Sequence, residues 1–482
     1  MLKHNLDDTI AAISTPLGDS GIGIVRLSGK DAIKVADKIF LPKDGKKPST
    51  FKTYTVHYGW VVDLDETTRQ RPQGVPSAVE GRVNESTKII DEVILTIMRA
   101  PKSYTKEDVV EINCHGGIVA LRAVLDLVLA NDCRLSEPGE FTKRAFLNGR
   151  IDLAQAEAVL DIIRAKTDSA LKLGTDQLRG GLSRRINHLS QELLGILAAL
   201  EASIDFPDEE IGPADPKGIR KRLNGINDEL KDILDSSKHG RIIREGIQVV
   251  ICGKPNVGKS SLLNALLKQE RSIVTPVAGT TRDTIEEVID IKGVPIRIVD
   301  TAGIIEPRDL VEKQAVLRSK RYINLADLVI LVFDGSKQFS RQDLMLIKKL
   351  TPKPIIAVIN KIDLRQHISR EKLAKKFKYV VEISAKKLKN ISGLEQAIVD
   401  FIFSEGSPRA ESIMVSRRRH IEAIRGAQKF VEETLNSLDN SLSLEFVAAD
   451  IKEALAYLDE ISGRKFSEGL LDRIFSEFCI GK

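Results

Sequence analysis

The 482-residue sequence predicts a multidomain chain of α/β and all-α parts, with a mixed α+β domain first and a helical domain interrupted by an α/β block after it. Three observations predict this. The length corresponds to about three domains at roughly 150 residues each. The hydrophobic period changes from mixed to helical near residue 152, to alternating strand and helix near 247, and back to helical after about 404. A phosphate-loop signature lies where the second change occurs, between an apolar strand and a helix.

Composition sets the outer limits. Apolar residues make up 42% and charged residues 29%, the values of an ordinary globular protein, which excludes wholesale disorder. Lys and Arg number 73 against 68 Asp and Glu, and a surplus of five is too small to predict nucleic-acid binding by itself. The four cysteines, Cys114, Cys133, Cys252 and Cys479, form no CxxC pair, which argues against a disulfide framework or a cysteine-rich zinc site. The start MLKHNLDDTIAAIS lacks a signal-peptide core, and no run of about 18 apolar residues occurs. A cytoplasmic protein of a reducing compartment, with no membrane span, is the expectation.

The first part, 1–148, carries the strand-like runs GIGIVRLSG (21–29), YTVHYGWVV (54–62) and IIDEVILTIM (89–98), then the helical IVALRAVLDLVLA (118–130). Between the second and third strands, the polar segment with Pro72, Gly74 and Pro76 can bury no face and reads as an exposed hairpin loop. The part 149–245 is helical: LAQAEAVLDIIRAKT and INHLSQELLGILAALEASI repeat apolar residues every three or four positions, interrupted at Gly180-Gly181. Strand and helix alternate over 246–404, and helical spacing returns over 405–482 in HIEAIRGAQKFVEETLNSL and LEFVAADIKEALAYLDEIS. Helices on both sides of the block suggest an insertion into one helical domain; two separate bundles are the alternative.

The chemistry sits in the block. Gly253-Lys254-Pro255-Asn256-Val257-Gly258-Lys259-Ser260 fits G-x-x-x-x-G-K-[ST], after the strand IQVVIC and before the helix SLLNALL. Its glycines let backbone N–H groups converge on phosphates at a helix amino terminus, where an anion is favoured. Lys259 is expected at the β- and γ-phosphates and the Ser260 hydroxyl at Mg²⁺. Asp300-Thr301-Ala302-Gly303 follows the strand PIRIVD, which places a carboxylate near the Mg²⁺ and Gly303 near the γ-phosphate. Asn360-Lys361-Ile362-Asp363 follows PIIAVI. A carboxylate there accepts both the ring N–H and the exocyclic amine of guanine, a donor pair that adenine lacks. Ser384-Ala385-Lys386 completes the base pocket, and the segment Gly279-Thr280-Thr281-Arg282-Asp283 is a switch that delivers Thr281 to the Mg²⁺. Four motifs in this order, each at a strand end, predict a GTP-binding domain.

Hydrolysis needs more. Many GTPases orient the attacking water with a Gln directly after the DTAG glycine, but here Ile304 and Ile305 follow and cannot do so. No arginine finger is evident, and such a finger supplies roughly 10³ to 10⁵ in rate, or about 4 to 7 kcal/mol. Another cation is expected in its place.

The strings SYTKEDVVEINCHGG (103–117), GEFTKRAFLNGRIDLAQAEA (139–158), VTPVAGTTRD (274–283) and the terminal FCIGK (478–482) together closely resemble the MnmE (TrmE) family of tRNA-modification GTPases, over nearly the full length. The resemblance implies a tetrahydrofolate-binding-like amino-terminal domain, a helical domain, and a Ras-like domain inserted into it. It also implies a homodimer formed through the amino-terminal domain. With an FAD-dependent partner subunit of the MnmG (GidA) type, in a heterotetramer, family members modify C5 of the wobble uridine of certain tRNAs to the aminomethyl or carboxymethylaminomethyl form. The one-carbon unit comes from a 5-formyl- or methylene-tetrahydrofolate.

The family's Ras-like domains meet across their nucleotide faces, with K⁺ where an arginine finger would sit. By resemblance the K⁺ ligands are the Asn256 and Thr280 side chains and the Thr275 and Val277 carbonyls, and nucleotide contacts extend to Ser261, Pro276 and Ala278. The water-orienting residue falls on Glu312 in DLVEK, a position that would otherwise read as a solvated helix glutamate. Folate contacts map to Arg26, Glu107 and Arg150, with the terminal Lys482 near the pocket. Arg150 stands where the family commonly has Lys, which keeps the charge but alters hydrogen-bond geometry. Cys479 is a family feature that reads either as a catalytic thiol or as structural, since no Cys–His pair is visible from spacing. Arg417-Arg418-Arg419-His420 reads first as a solvated helix start, with contact to tRNA phosphates as the alternative. Gly469 in FSEGLLDRIFSEF is expected to loosen that helix by roughly 1 kcal/mol. A GTP-regulated RNA-binding assembly factor without modification chemistry is the alternative function, and the folate strings distinguish the two.

Overall fold

A computed structural model describes residues 7–64, 87–205, 216–269, 286–300, 322–350, 352–404, 414–440 and 442–482. Most of the polar segment between the second and third strand-like runs, and the expected switch segment 279–283, lie outside them. The chain divides into two units, Met1–Leu160 with Ser462–Lys482, and Asp161–Ile461.

The first unit is built on a seven-stranded sheet in the order β3-β4-β5-β6-β2-β1-β7. Its elements are β1 (Ile10–Ile13), β2 (Gly23–Ser28), α1 (Ala32–Ile39), β3 (Phe40–Pro42), β4 (Thr55–Leu64), β5 (Thr87–Met98), β6 (Val109–Cys114), α2 (Ile118–Leu129), β7 (Arg134–Leu135) and α3 (Glu140–Leu147), followed by α4 (Leu153–Arg164). The three strand-like runs of the sequence become β2, β4 and β5. Their alternation puts Val25, Leu27, Val61, Val93 and Leu95 on one face, where α1 and α2 cover them with Val35, Ile39, Leu121 and Val124. The opposite face is divided. At the β1 end Ile10 and Ala12 pack on Phe141 of α3. At the β3–β4–β5 end Leu41, Val56, Tyr58 and Ile94 stay 42 to 64% exposed.

The carboxyl-terminal residues belong to this first unit. The helix Glu468–Ser476 forms despite Gly469, which sits in its first turn next to the cap where the Ser467 Oγ accepts from the Leu470 N–H. Leu471, Ile474, Phe475 and Phe478 close a core with Phe146, Ile151 and Leu153.

The second unit begins with α5 (Asp168–Leu178), α6 (Gly181–Asp205) and α7 (Pro216–Glu245). The break expected at Gly180-Gly181 is the turn between α5 and α6, with Gly180 at φ 80°. There follow β8 (Ile247–Gly253), α8 (Lys259–Gln269), β9 (Glu286–Ile291), β10 (Val294–Asp300), β11 (Leu328–Asp334), α9 (Arg341–Leu350), β12 (Ile355–Asn360), α10 (Arg370–Ala374), β13 (Tyr379–Glu382) and α11 (Ile391–Ile402), then α12 (Arg418–Asp439) and α13 (Leu444–Ser462). The strands form one six-stranded sheet in the order β13-β12-β11-β8-β10-β9, in which only β9 runs antiparallel to its neighbour. Continuous apolar runs such as IQVVICG and LVILVFD are buried on both faces, as helix-covered parallel strands require. One face packs on α8 and α11, the other on α9 and α10. Helix α7, before this sheet in the chain, packs along α12, which follows it. That contact is the arrangement of an insertion rather than of two independent bundles.

Candidate functional site

The order of the second sheet reverses at β8, which lies between β11 and β10, and ligand sites of open α/β sheets form outside such a switch point. The phosphate-loop residues leave β8 there. Val257 is 2% exposed and buried in the core beneath α8, so it pins the loop from below while the backbone stays outward. Gly258 has φ 100°, and a Cβ on it would stand 2.3 Å from the Asn360 Nδ2, so no other residue fits. Asn256 takes the left-handed conformation at φ 61° with its side chain exposed. Helix α8 opens at Lys259, whose Nζ folds back to donate to the carbonyls of Gly253 (3.1 Å) and Lys254 (3.0 Å). Ser260 and Ser261 are exposed in the first turn, where N–H groups and the helix dipole favour an anion. Lys254 is tied down separately, donating to Asp343 Oδ2 (2.7 Å) and Ser340 Oγ (3.1 Å) at the start of α9.

The segments expected to recognise the base are joined to this loop by one buried amide. Asn360, 2% exposed, donates from Nδ2 to the Val257 carbonyl at 2.9 Å. Its Oδ1 accepts from the Ala385 N–H at 3.0 Å and the Lys361 N–H at 2.8 Å. Lys361 spans the same gap from above, with its Nζ on the Asn256 carbonyl (2.8 Å) and on Asp334 Oδ2 (2.7 Å). Burial alone would raise the Asp334 carboxyl, but hydrogen bonds from Lys361 and Ser336 hold it below the usual range, so it stays a carboxylate. Asp363 is exposed, and the Ser384 Oγ donates to its Oδ1 at 2.6 Å, which fixes the carboxylate and lowers its pKa. Ser384 is itself locked by a backbone pair with Lys389. A cleft of about 230 Å³ lies beside these residues, lined by Ser261, Asn264, Ala385, Lys386 and Leu388.

Of the sequence-derived nucleotide contacts, Asn256, Val257, Gly258, Lys259, Ser260, Ser261, Asn360, Lys361, Asp363, Ser384, Ala385 and Lys386 therefore share one end of the sheet. The Asp300 backbone ends β10 in register with Ile251 of β8, beside the loop. Glu312, Thr275, Pro276, Val277, Ala278, Gly279, Thr280, Thr281, Thr301, Ala302 and Gly303 lie outside the described residues. The donors present suit the two cations. Ser260 offers a hydroxyl in the first turn of α8, where Mg²⁺ would meet bound phosphates, and Asn256 offers a neutral amide oxygen of the kind a large monovalent ion accepts.

A second cluster lies in the first unit, on the sheet face shared with α3. Arg26 of β2 donates from Nε to Glu111 Oε1 (2.7 Å), its cross-strand neighbour, and from Nη1 to the Gly481 carbonyl (3.3 Å). Its guanidinium stands 5.8 Å from the Tyr104 ring and 5.7 Å from Phe141, and Arg150 lies over Tyr104 at 4.5 Å. The carboxyl-terminal residues are held in place here: Ser14 Oγ donates to the Gly481 carbonyl at 3.0 Å and Ile480 forms an isolated bridge with Pro138. Lys482 is half-buried, while Cys479 is exposed and its carbonyl accepts from the Gly139 N–H. Glu107 accepts from Ser28 Oγ (2.6 Å) and from Arg144 Nη1 (3.2 Å).

Sequence reasoning missed Tyr104, Glu111 and Arg144. Arg144 is 1% exposed and bonded to Asp8, Glu107 and Glu140, although its place on an amphipathic helix reads as an ordinary surface cation. The Arg417–His420 cluster is corrected in part. Arg417 binds Asp161 and is largely buried, Arg418 pairs with Glu422, and Arg419 caps the Glu460 and Ile461 carbonyls. Arg418 is the solvated helix start that the sequence suggests, 88% exposed, whereas the buried Asp161 captures Arg417, so the four residues do not form one free phosphate-binding patch.

Comparison with known proteins gives two family-model matches, "GTP-binding protein TrmE N-terminus" over residues 9–150 and "MnmE helical domain" over 153–479. The chain is 45% identical over 482 residues to the tRNA modification GTPase MnmE of Desulforamulus reducens, covering 99% of this chain and all of that one. It is 46% identical over 480 residues to that of Carboxydothermus hydrogenoformans, with the same coverage. It also matches the G domain of the T. maritima FeoB iron transporter at 31% identity, over 32% of this chain and 98% of that one, with a TM-score of 0.26.

Proposed function

Because the chain belongs to the MnmE family of tRNA modification GTPases, we propose that it binds and hydrolyses GTP and uses that cycle to drive modification of C5 of the wobble uridine of certain tRNAs. The observation that carries the GTP reading is the Asn360 amide, which ties the phosphate loop to the guanine-reading segment in one rigid unit. Asp363, held by Ser384, accepts the two guanine N–H donors, and Lys361 covers the base while bracing the Asn256 carbonyl. Lys259 leaves the Gly253 and Lys254 carbonyls for the β- and γ-phosphates, an exchange of neutral acceptors for charged ones. Ser260 and Thr281 hold Mg²⁺, with Asp300 nearby. Asn256, Thr275, Val277 and Thr280 hold K⁺, which supplies the positive charge that an arginine finger gives elsewhere. Glu312 orients the attacking water, since Ile304 cannot.

In the first unit Arg26, Glu107, Arg150 and Lys482 bind a 5-formyl- or methylene-tetrahydrofolate, which supplies the one-carbon unit. The support is the gathering of Arg26, Arg150 and the Gly481 carbonyl about Tyr104, a flat apolar surface edged by cations that suits a pterin or an aminobenzoyl ring with its acidic tail. An assembly factor without modification chemistry has no use for that cluster. The exposed apolar face of Leu41, Val56, Tyr58 and Ile94 supports homodimerisation through this unit. An FAD-dependent subunit completes the complex in the cytoplasm, and no helix among the described residues is long and apolar enough to cross a membrane. GTP turnover of the full chain in KCl and in NaCl at matched ionic strength tests the cation. A strong preference for K⁺ is expected, and equal rates remove it from the reading.

A further inference from the structure

The modest net charge of the chain conceals a local excess. Residues 341–378 carry eleven Lys and Arg against three Asp and Glu, a surplus of eight where the whole chain has +5. The structure gathers most of these on one surface. Helices α9 and α10 connect β11 to β12 and β12 to β13, three adjacent strands, and both lie on the same face of the sheet, since Leu350 of α9 and Leu373 of α10 share one core. Their outward sides carry Lys348, Lys349, Arg370 and Lys372, and the residues after α10 add Lys375 and Lys376, all exposed. The acids among them are engaged: Asp343 is buried against Lys254, Glu371 takes the Ser369 hydroxyl, and Asp363 takes that of Ser384. Among the described residues none of the six cations enters an ion pair.

Helix stability accounts for only part of this. Lys348 and Lys349 stand in the last turn of α9, where the dipole favours cations. Lys372 likewise stands in the last turn of the short α10, but Arg370 opens that helix, at the end the dipole makes positive, so its charge works against the helix. Six unpaired cations at close quarters repel one another, and that cost is relieved by a polyanion.

We propose that the α9–α10 face is a docking surface for the phosphate backbone of RNA, contributed by the sheet unit rather than by the helical bundle. It rests on the reading of the chain as a tRNA modification GTPase, and it names where that RNA is gripped. The face lies apart from the guanine cleft, but α9 begins at the Ser340–Asp343 pair that holds Lys254 of the phosphate loop, so RNA here bears on an element already joined to the nucleotide site.

The test is binding of a fluorescently labelled tRNA transcript to the full chain across a KCl titration. The comparison is with the two-site variant Lys348→Gln/Lys349→Gln and the five-site variant that adds Lys372→Gln, Lys375→Gln and Lys376→Gln. Each contacting lysine removed makes the slope of log K against log salt shallower by about 0.7 to 0.9, so the five-site variant binds roughly tenfold or more weakly at about 0.1 M salt. The two-site variant falls between it and the parent. Turnover of GTP without RNA stays at the parental rate in both, because none of the five side chains reaches the nucleotide residues. A parent chain that binds tRNA while both variants keep its affinity and slope overturns this surface alone. A parent chain that binds GTP but no tRNA overturns the tRNA reading and the surface with it. Variants that keep tRNA but lose binding to phosphatidylglycerol vesicles show a membrane-facing patch and also overturn it.

Discussion

Asp161 holds together the two places where the chain passes between the helical bundle and the inserted sheet, and removing its carboxylate has a calculable cost. It accepts from Arg244 Nε at 2.9 Å, at the end of α7, and from Arg417 Nη2 at 2.7 Å and Nε at 3.1 Å, at the start of α12. Its side chain is 9% exposed, with Arg417 at 11% and Arg244 at 23%. Breaking a fully buried pair costs about 3 to 5 kcal/mol because the cation left behind is uncompensated, and the partial exposure of Arg244 brings Asp161→Ala down to about 2 to 4 kcal/mol. At roughly 2 to 4 °C per kcal/mol for a unit of this size, the midpoint falls by about 4 to 16 °C. Scanning calorimetry of the full chain without nucleotide, with Asp161→Asn as a same-shape control, measures it. A shift below about 2 °C would mean that the two crossings are held by packing alone.

Acid tests the ion cluster of the first unit. Burial raises the Asp8 and Glu140 carboxyls, but hydrogen bonds from Arg134, joined at Asp8 by Arg144, outweigh it and hold both below their ordinary values. Their contribution is therefore complete above the unfolded carboxylate range of about 4 and is lost as the pH falls below it. Thermal midpoints measured between pH 6 and pH 3 should drop, and Glu140→Gln should flatten the drop while lowering the midpoint at pH 6; parallel curves would count against the cluster. In the phosphate loop, Gly258→Ala puts a Cβ 2.3 Å from the Asn360 Nδ2 at a φ of 100°, so nucleotide affinity should fall at least tenfold while the sheet stays folded. Calorimetric titration with GDP showing unchanged affinity would mean that the loop can move away from Asn360.

Much of the fold was legible because period and burial agree. LEFVAADIKEALAYLDEIS is α13 from end to end, and IQVVICG is a strand buried on both faces. The guanine motifs were legible because each follows such a strand, so the sheet alone brings Asn360, Asp363 and Ser384 to one edge. What pattern could not reveal is pairing across long separations. That Arg26 would meet Glu111 depends on strand register, and that the Gly481 carbonyl would reach Arg26 depends on where the final residues pack. Arg417 read as a surface cation because its partner, Asp161, lies 256 residues away. The charge surplus of 341–378 was invisible in a whole-chain sum, since acids elsewhere cancel it.

Guanine recognition by Asp363 is the claim on which the GTP cycle depends, and exchanging the carboxylate for an amide tests it most directly. The Asp363→Asn side chain can still accept one ring N–H, but it now offers a donor where guanine presents its amine and xanthine presents a carbonyl. Affinities for GTP and xanthosine triphosphate, measured by titration of the full chain and of this variant, should invert: GTP weaker by roughly two orders of magnitude or more, xanthosine triphosphate tighter. A variant that still prefers GTP with its original affinity would contradict the account.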